Sequence, residues 1–179
     1  MGRQTSALFA REIYPAQPER NRTSGPVSVG ATDSFEQLVN RFAPRLRTVS
    51  FAILGNDLLA EEACVRVFAR AYRTLAISPS PWLDLVQSII TQCHRLRRRP
   101  FFDWRIPTSS RVNADVGPKQ REAIRLLQRL PWDQRLLLVL REVAELSPDQ
   151  IGTILGRSVA SVKSDLLAAR QALLKTTRA

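Results

Sequence analysis

Apolar side chains recur every three or four positions over most of the chain from residue 34 onward, which is the spacing of one buried helix face. The first such stretch runs from Ser34 to Ile53. Its apolar face comprises Phe35, Leu38, Val39, Phe42, Leu46, Val49 and Ile53. Ser34 and Gln37 have the spacing of a capping box, so a helix is predicted to begin at Ser34, and Pro44 is predicted to kink or divide it.

Two further helices are predicted in the first half. One runs from about residue 58 to residue 75, after a turn at 55–57, and the other begins at Pro81, which suits the first helical position. Their predicted buried residues are Ala60, Ala63, Cys64, Val67, Phe68, Ala71, Tyr72 and Leu75 in the former, and Trp82, Leu85, Val86, Ile89 and Cys93 in the latter. Residues 33–99 are therefore predicted to form one small helical domain.

Two segments lack this periodicity. Residues 1–32 contain Pro, Ser, Gly, Thr and Arg, which predicts a flexible N-terminal tail. Residues 100–117 contain two prolines and polar turn formers, and are interpreted as a linker to a second domain at 118–179. That domain is predicted to contain one helix from Pro118 and another from about Pro131, so the whole chain is predicted to be all-α, with two small helical domains.

The last two helices have the arrangement of a helix-turn-helix. Ser147 is a predicted N-cap with Gln150 at capping-box distance, and Gly156 marks a tight turn before Ser158, the predicted N-cap of the last helix. The buried stripe of that helix is Val159, Val162, Leu166, Ala169 and Leu173, and opposite it lie Ala160, Ser164, Ala168 and Gln171. Such small and polar side chains favour close approach to a DNA groove, while an amphipathic helix that only closes a bundle is the alternative.

Charge points to a polyanionic partner. The chain has 27 Lys and Arg against 16 Asp and Glu, a net charge of +11, and nucleic acid is the first candidate, with a membrane surface as the rival. No apolar run approaches the roughly 20 residues of a membrane span, and no signal peptide is predicted at the N-terminus. Cys64 and Cys93 are predicted to be buried thiols of a reducing cytosol. No residue constellation predicts an enzyme, a cofactor or a metal site.

Basic and polar residues supply the candidate DNA contacts. On the last helix and its turn they flank the small-residue face, and in the first domain they form the run HRLRRR, which would hold a displaced strand. The candidates are Arg157, Ser158, Ser161, Lys163, Ser164 and Arg170, together with Arg95, Arg97, Arg98 and Arg99. A solvated helix end is the alternative for the Arg run, and His94 beside it is assigned to the same basic surface.

The chain resembles bacterial sigma factors of the extracytoplasmic-function (ECF) group. The resemblance in the second half rests on Leu130, Pro131, Arg135, the apolar run to Leu140, Ile151, Leu155, Gly156, Ser158, Val159, Val162, Lys163, Ser164, Ala169, Arg170 and Leu173. Residues 35–75 resemble the N-terminal sigma domain at Ala60, Glu61, Glu62 and Phe68, and residues 81–99 resemble its promoter-melting helix.

This resemblance implies a cytoplasmic, nucleoid-associated bacterial protein that binds core RNA polymerase and promoter DNA, and that an anti-sigma factor can also bind. The first domain would open the minus-ten element and the second would place a helix in the major groove of the minus-thirty-five element. The residues implied in polymerase binding are Glu61, Glu62 and Phe68. Sigma factors are not enzymes, because the polymerase carries out the chemistry.

The chain departs from the family's usual residues at several positions. These are Val65 and Arg66 in the second helix, Ile89 and Cys93 in the melting helix, and Asp165 and Ala168 in the last helix, where the family usually has Arg. The departures keep two alternatives open. One is a sigma-like helper or anti-sigma-binding protein that does not initiate alone, and the other is a helix-turn-helix repressor.

Overall fold

The computed structural model describes residues 31–72, 80–98 and 118–178. Within these ranges every regular element is helical, so the predicted all-α class is confirmed. The elements are α1 (Ala31–Leu54), α2 (Asp57–Ala71), α3 (Pro81–Arg97), α4 (Pro118–Gln128), α5 (Trp132–Leu138) with a π-helical segment (Val139–Val143) directly after it, α6 (Pro148–Leu155) and α7 (Val159–Arg178). Most of the predicted tail and the whole predicted linker lie outside the described residues.

Helices α1, α2 and α3 pack on one another and form the first helical unit. Val49, Ala63 and Ile89, one from each helix, are among its completely buried side chains. Asn56 caps α2, because its Oδ1 accepts a 3.0 Å hydrogen bond from the backbone N–H of Leu59. The thiols of Cys64 and Cys93 are buried as predicted, and burial raises the pKa of both. Both therefore remain protonated at neutral pH.

The structure corrects three predictions for this unit. Helix α1 begins at Ala31, so Ser34 lies inside the helix and is not its N-cap. Pro44 does not divide α1. Pro44 and Asn40 lie on the exposed face, so the Asn40 carbonyl that loses its helical partner is accessible to solvent. Helix α2 ends at Ala71, and Tyr72 is 58% exposed although the periodicity predicted it to be buried. Leu75 lies outside the described residues.

Helices α4 to α7 form the second helical unit, and its long central helix differs from the prediction. The periodicity predicted one helix up to Leu146, but α5 continues as the π-helical segment, in which the N–H of Ala144 bonds to the carbonyl of Val139 at 2.9 Å. The chain then turns through Glu145, whose φ of 58° is left-handed, and the N–H of Leu146 bonds to the carbonyl of Leu140. This reversal directs the backbone into α6.

The two units pack directly against each other, and Arg135 lies where they meet. Its side chain is 6% exposed and donates to the carbonyls of Leu127, Gln128 and Leu130 at the end of α4, and to that of Ile53 near the end of α1. Burial and the nearby Arg97 lower the pKa of Arg135 to about 10, so it is still a cation at neutral pH. Backbone carbonyls at two helix ends thus stabilise one buried charge.

A second contact between the units forms at the backbone corner after the π-helical segment. The carbonyl of Ala144 accepts hydrogen bonds from Arg45 Nη2 at 3.1 Å and from Trp82 Nε1 at 3.2 Å. Arg45 also forms a 2.6 Å ion pair with Glu145 and lies 4.4 Å from the centre of the Trp82 ring. One backbone corner is therefore bound by side chains of both α1 and α3.

None of the helices in the described part of the chain is long and apolar enough to cross a membrane.

Candidate nucleic-acid interface

Helices α6 and α7 form the predicted helix-turn-helix, and the local sequence explains its geometry. Ser147 and Gln150 make both hydrogen bonds of the capping box at the start of α6. Gly156 ends that helix at φ 65°, a left-handed conformation that glycine adopts at no steric cost. Ser158 then caps α7, because its Oγ accepts from the N–H of Ser161 at 3.2 Å. Both predicted caps are confirmed.

Gly152 sets how closely α6 approaches the turn. A Cβ atom at this position would lie 2.7 Å from the carbonyl oxygen of Arg157. The N–H of Arg157 in turn donates to the carbonyl of Gly152 at 2.9 Å. Because only glycine permits this contact, the residue type at 152 fixes the position of the chain where it enters α7.

Helix α7 has one buried and one exposed face, in the positions that the pattern predicts. Val162, Leu166 and Ala169 are buried on the side of the helix that faces the rest of the unit. Small and polar side chains make up the opposite face, which consists of Ala160, Ser161, Ser164, Ala168 and Gln171. Leu167 adds an apolar side chain that is 60% exposed. Apart from Leu167, the side chains of the exposed face are short enough to let the helix backbone approach a groove closely.

The predicted DNA contacts on this motif separate into two groups. Arg157, Ser158, Ser161, Lys163 and Ser164 are all exposed near the N-terminal end of α7. Arg170 is not, because its Nη2 forms a 2.6 Å ion pair with Glu142 of the π-helical segment, against the body of the unit. This guanidinium is directed at a carboxylate 28 positions away in the chain, and the DNA contact of Arg170 stays a prediction.

Asp165 lies beside the exposed face and is paired. Its Oδ2 accepts from Arg157 Nη1 and from Ser161 Oγ, each at 3.3 Å. Ser161 and Asp165 are four positions apart on α7, which places them on one side of the helix, and Arg157 reaches Asp165 from the turn. The acid of α7 therefore has a basic partner within the same motif.

The Arg run of the first unit is only partly free. Arg95, Arg97 and Arg98 are all exposed at the end of α3, and the guanidinium of Arg97 in addition lies 4.6 Å from the centre of the Trp132 ring in the second unit. His94 also contacts this ring, at 5.0 Å, and burial together with Arg97 and Arg98 lowers its pKa. His94 is therefore mainly neutral and belongs to the contact between the units, which corrects its assignment to the basic surface. Arg99 lies outside the described residues.

A polar groove between α2 and α3 was missed by sequence reasoning. It has a volume of about 390 Å³, and its lining includes Arg70, Gln87, Thr91 and Arg95. Gln87, Thr91 and Arg95 are spaced by four residues on the exposed side of α3. That spacing was a usable signal, because it runs opposite the predicted buried face of the same helix.

The residues implied in polymerase binding occupy different environments on α2. Glu61 is exposed, and Glu62 forms a 2.7 Å ion pair with Arg66. Phe68 is only 9% exposed and packs in the core. Val65, at a position of family departure, is 63% exposed.

The two departures assigned to the melting helix are buried. Ile89 and Cys93 both have 0% exposure, so neither side chain reaches the surface of α3.

Comparisons with known proteins agree with this architecture. The family model "Sigma-70, region 4" matches residues 120–173. A curated relative, the ECF RNA polymerase sigma factor SigW of Bacillus subtilis (strain 168), is 26% identical over 175 residues, covering 85% of this chain and 93% of SigW. The solved structure of CnrH in complex with the cytosolic domain of CnrY matches with a TM-score of 0.64 at 16% identity, over 97% of this chain and 96% of that chain, and supports the fold.

The region 4 match coincides with the helix-turn-helix and the helices that support it, and the similarity to SigW extends through both helical units. The resemblance found in the sequence is therefore confirmed. The chain contains a sigma-70 region 4 at residues 120–173 and is similar, over both helical units, to an ECF RNA polymerase sigma factor.

Proposed function

We propose that this chain brings core RNA polymerase to specific promoters, with α7 in the major groove of the minus-thirty-five element and the first unit on the minus-ten element. The observation that carries the proposal is the helix-turn-helix, in which a capped helix presents a small, polar and basic face within a matched sigma-70 region 4. The chain contributes binding and strand separation, while the polymerase catalyses RNA synthesis.

On the minus-thirty-five side, recognition is assigned to the N-terminal half of α7. Ser161 and Ser164 reach base edges, because their hydroxyl groups both donate and accept hydrogen bonds. Lys163 contacts phosphate, and the Ala160 and Ala168 positions let the helix enter the groove. Arg170 is given no base contact, because its 2.6 Å ion pair with Glu142 directs its guanidinium toward the body of the unit.

On the minus-ten side, the groove between α2 and α3 is assigned to the displaced single strand. Arg70 and Arg95 supply positive charge to its walls, and Gln87 supplies hydrogen-bonding groups for unpaired bases. Arg98 extends this charge at the end of α3. Ile89 and Cys93 act from the core by packing the helix that carries the groove.

Polymerase binding is assigned to the exposed side of α2, which carries Glu61, Glu62 and Val65. Phe68 supports this surface from the core, because its ring is too buried for direct contact. The substitution of Val65 for a polar family residue makes this surface more apolar than is usual for the family.

Reconstituted transcription tests the proposal. The full chain is mixed with core polymerase and a library of genomic promoter fragments, and we expect run-off transcripts from a subset of them. The double variant Arg95→Gln with Arg98→Gln is compared with the wild-type chain. It should still bind polymerase but no longer open the promoter. Polymerase binding without any transcript unless a second factor is added would favour a helper. Duplex binding without polymerase binding would favour a repressor.

A protein partner is a second element of the proposal. CnrH, which shares the fold, was solved in complex with the cytosolic domain of CnrY. We infer that an anti-sigma factor likewise binds this chain and withholds it from polymerase. Co-purification from the native host, followed by competition between the recovered partner and core polymerase, checks this. Simultaneous binding of both would contradict it.

A further inference from the structure

Asp165 is an acidic residue on the helix that the proposed function places in the major groove. Its carboxylate is 41% exposed, and the guanidinium-bearing side chain of Arg157 that pairs with it is 38% exposed. Ser161 Oγ donates to the same carboxylate oxygen, Oδ2. A carboxylate is unexpected on a surface that faces phosphates, because like charges repel. Its pairing with Arg157 offers a reason for its presence there.

Arg157 is fixed at both ends of its side chain. At the backbone, its N–H donates to the carbonyl of Gly152, and the close approach of Gly152 leaves no room for its carbonyl to move toward α6. At the tip, Nη1 lies 3.3 Å from Asp165 Oδ2. A long side chain held in this way loses less conformational entropy when it binds.

The pairing leaves the arginine able to bind a base. Among the described residues, the contact engages one guanidinium nitrogen of Arg157 and one carboxylate oxygen of Asp165. Arginine has five N–H donors in a planar fork, and two of them match the O6 and N7 acceptors that guanine presents in the major groove. The remaining edge of the fork is sufficient for that match.

We propose that Asp165 is a positioning residue that orients Arg157 to recognise a guanine in the minus-thirty-five region, an assignment that rests on the proposed docking of α7. A free arginine at the start of a recognition helix binds any nearby phosphate, which raises affinity without selecting sequence. The paired carboxylate offsets the charge of Arg157 and directs its fork along the helix. The affinity for non-specific DNA is thereby lowered, and the discrimination between bases is raised.

The test uses the full chain with core polymerase and a pool of randomised duplex DNA. We expect the wild-type protein to enrich sequences with guanine at one position, by about tenfold or more over the other bases. Asp165→Asn and Arg157→Ala should each abolish the preference at that same position. Asp165→Glu should restore it in part, because the longer carboxylate still reaches Arg157.

Asp149→Asn is the matched control. Asp149 is an exposed acid in the first turn of α6, and its replacement removes the same charge from the same motif. We expect this variant to retain the guanine preference. Asp165→Asn should also show a salt dependence of binding that is steeper by about one unit of slope, because the released Arg157 becomes free to contact phosphate.

Two results separate failure of the inference from failure of the proposed function. If Asp165→Asn binds all sequences more tightly and keeps the same guanine preference, Asp165 only repels DNA and the inference is overturned. If the wild-type protein with polymerase enriches no sequence, the proposed function fails and the inference fails with it. Thermal unfolding followed by circular dichroism verifies that each variant is folded, since both side chains are largely at the surface.

Discussion

The guanidinium of Arg135 shows how a charged residue becomes part of the core. In the sequence it follows the polar Asp133 and Gln134 and precedes the apolar run at 136–140, and it is one of the residues that carry the resemblance to sigma factors. In the structure it is 6% exposed, and backbone carbonyls surround it. Its role is to satisfy carbonyl groups at the ends of α4 and α1 that have no partner within their own helices.

Replacing Arg135 should therefore destabilise the whole chain. We expect Arg135→Met to lower the free energy of unfolding by about 3 kcal/mol, because several buried carbonyls lose their donor. Arg135→Lys, which retains the charge but not the planar fork, should lose roughly half as much. Urea unfolding followed by circular dichroism measures both. Equal losses for the two variants would show that charge alone, and not the set of donors, is what matters.

Lys163 provides a test of phosphate contact on α7. Lys163→Ala should reduce the slope of log binding constant against log salt by about one unit, because one fewer counterion is released. Lys119→Ala, which removes an exposed lysine from α4 outside the helix-turn-helix, is the control and should leave the slope unchanged. Duplex binding measured across a salt series decides the matter. An unchanged slope for Lys163→Ala would remove this residue from the interface.

Residue-level predictions succeeded where the determining partner is near in sequence. Ser147, Gln150 and Ser158 cap helices within three positions of themselves, so their roles follow from spacing alone. The pairing of Arg170 with Glu142 was not foreseen, because the two residues are 28 positions apart and no local pattern connects them.

At the scale of the element, the turn between α6 and α7 depends on two glycines for different reasons. Gly152 faces a carbonyl oxygen, while Gly156 has open space around it but a φ of 65°. We expect Gly152→Ala to cost about 1–3 kcal/mol by overpacking and to weaken duplex binding, because the start of α7 must shift. Gly156→Ala should cost about 1 kcal/mol from backbone strain and leave the binding preference unchanged.

Thermal unfolding and duplex binding, measured in parallel, distinguish the two variants. Gly156→Asn is a further control, because asparagine tolerates the left-handed conformation better than alanine does. The interpretation is wrong if Gly152→Ala keeps the wild-type midpoint and affinity, since a Cβ placed 2.7 Å from the oxygen of Arg157 forces a displacement.

The sequence predicted helices over most of α1, α2, α3, α6 and α7, because apolar residues recur with the helical period within each of these segments. The π-helical segment was not predictable. Its hydrogen bonds depend on the left-handed turn at Glu145 and on packing in the core, and neither has a marker in the local pattern. The start of α1 was misjudged because a capping-box spacing at Ser34 also fits inside a longer helix.

At the scale of the whole molecule, His94 gives the contact between the units a pH dependence. Burial, Arg97 and Arg98 lower its pKa from the ordinary 6.5, so the unfolded chain takes up this proton first as the pH falls. The stability contributed at this site is therefore fully present above pH 6.5 and is lost as the pH falls through the pKa of the folded chain. Urea midpoints at about pH 7.5 and 5.5 should differ accordingly.

His94→Phe retains an aromatic ring against Trp132 but cannot be protonated. We expect its urea midpoint to change less between the two pH values than that of the wild-type protein. A wild-type drop that persists unchanged in His94→Phe would assign the pH dependence to other groups.

The contact at Ala144 should be separable from the fold of each unit. Trp82→Phe combined with Arg45→Gln removes both donors to this carbonyl, while the phenyl ring retains the stacking of residue 82 on Phe42. We expect a larger radius of gyration in small-angle X-ray scattering, with helical content unchanged. Phe42→Leu, which alters the same cluster without removing a donor, is the control. An unchanged radius for the double variant would show that the remaining contacts, at Arg135 and Trp132, are enough to hold the units together.

The direct contact between the two units also limits what the closed chain can span. B-DNA rises about 3.4 Å per base pair, so promoter elements centred about 25 base pairs apart are separated by about 85 Å. The longest described helix, α1, has 24 residues and is about 36 Å long, so we expect two units packed together at Ala144 and Arg135 to fall short of that distance. Docking on both elements, as proposed, therefore requires the contact between the units to open. The apparent affinity for a complete promoter would then be the intrinsic affinity multiplied by the open fraction. By linkage, any partner, polymerase included, that binds the open form more tightly than the closed form strengthens promoter binding. The promoter strengthens the binding of that partner by the same factor.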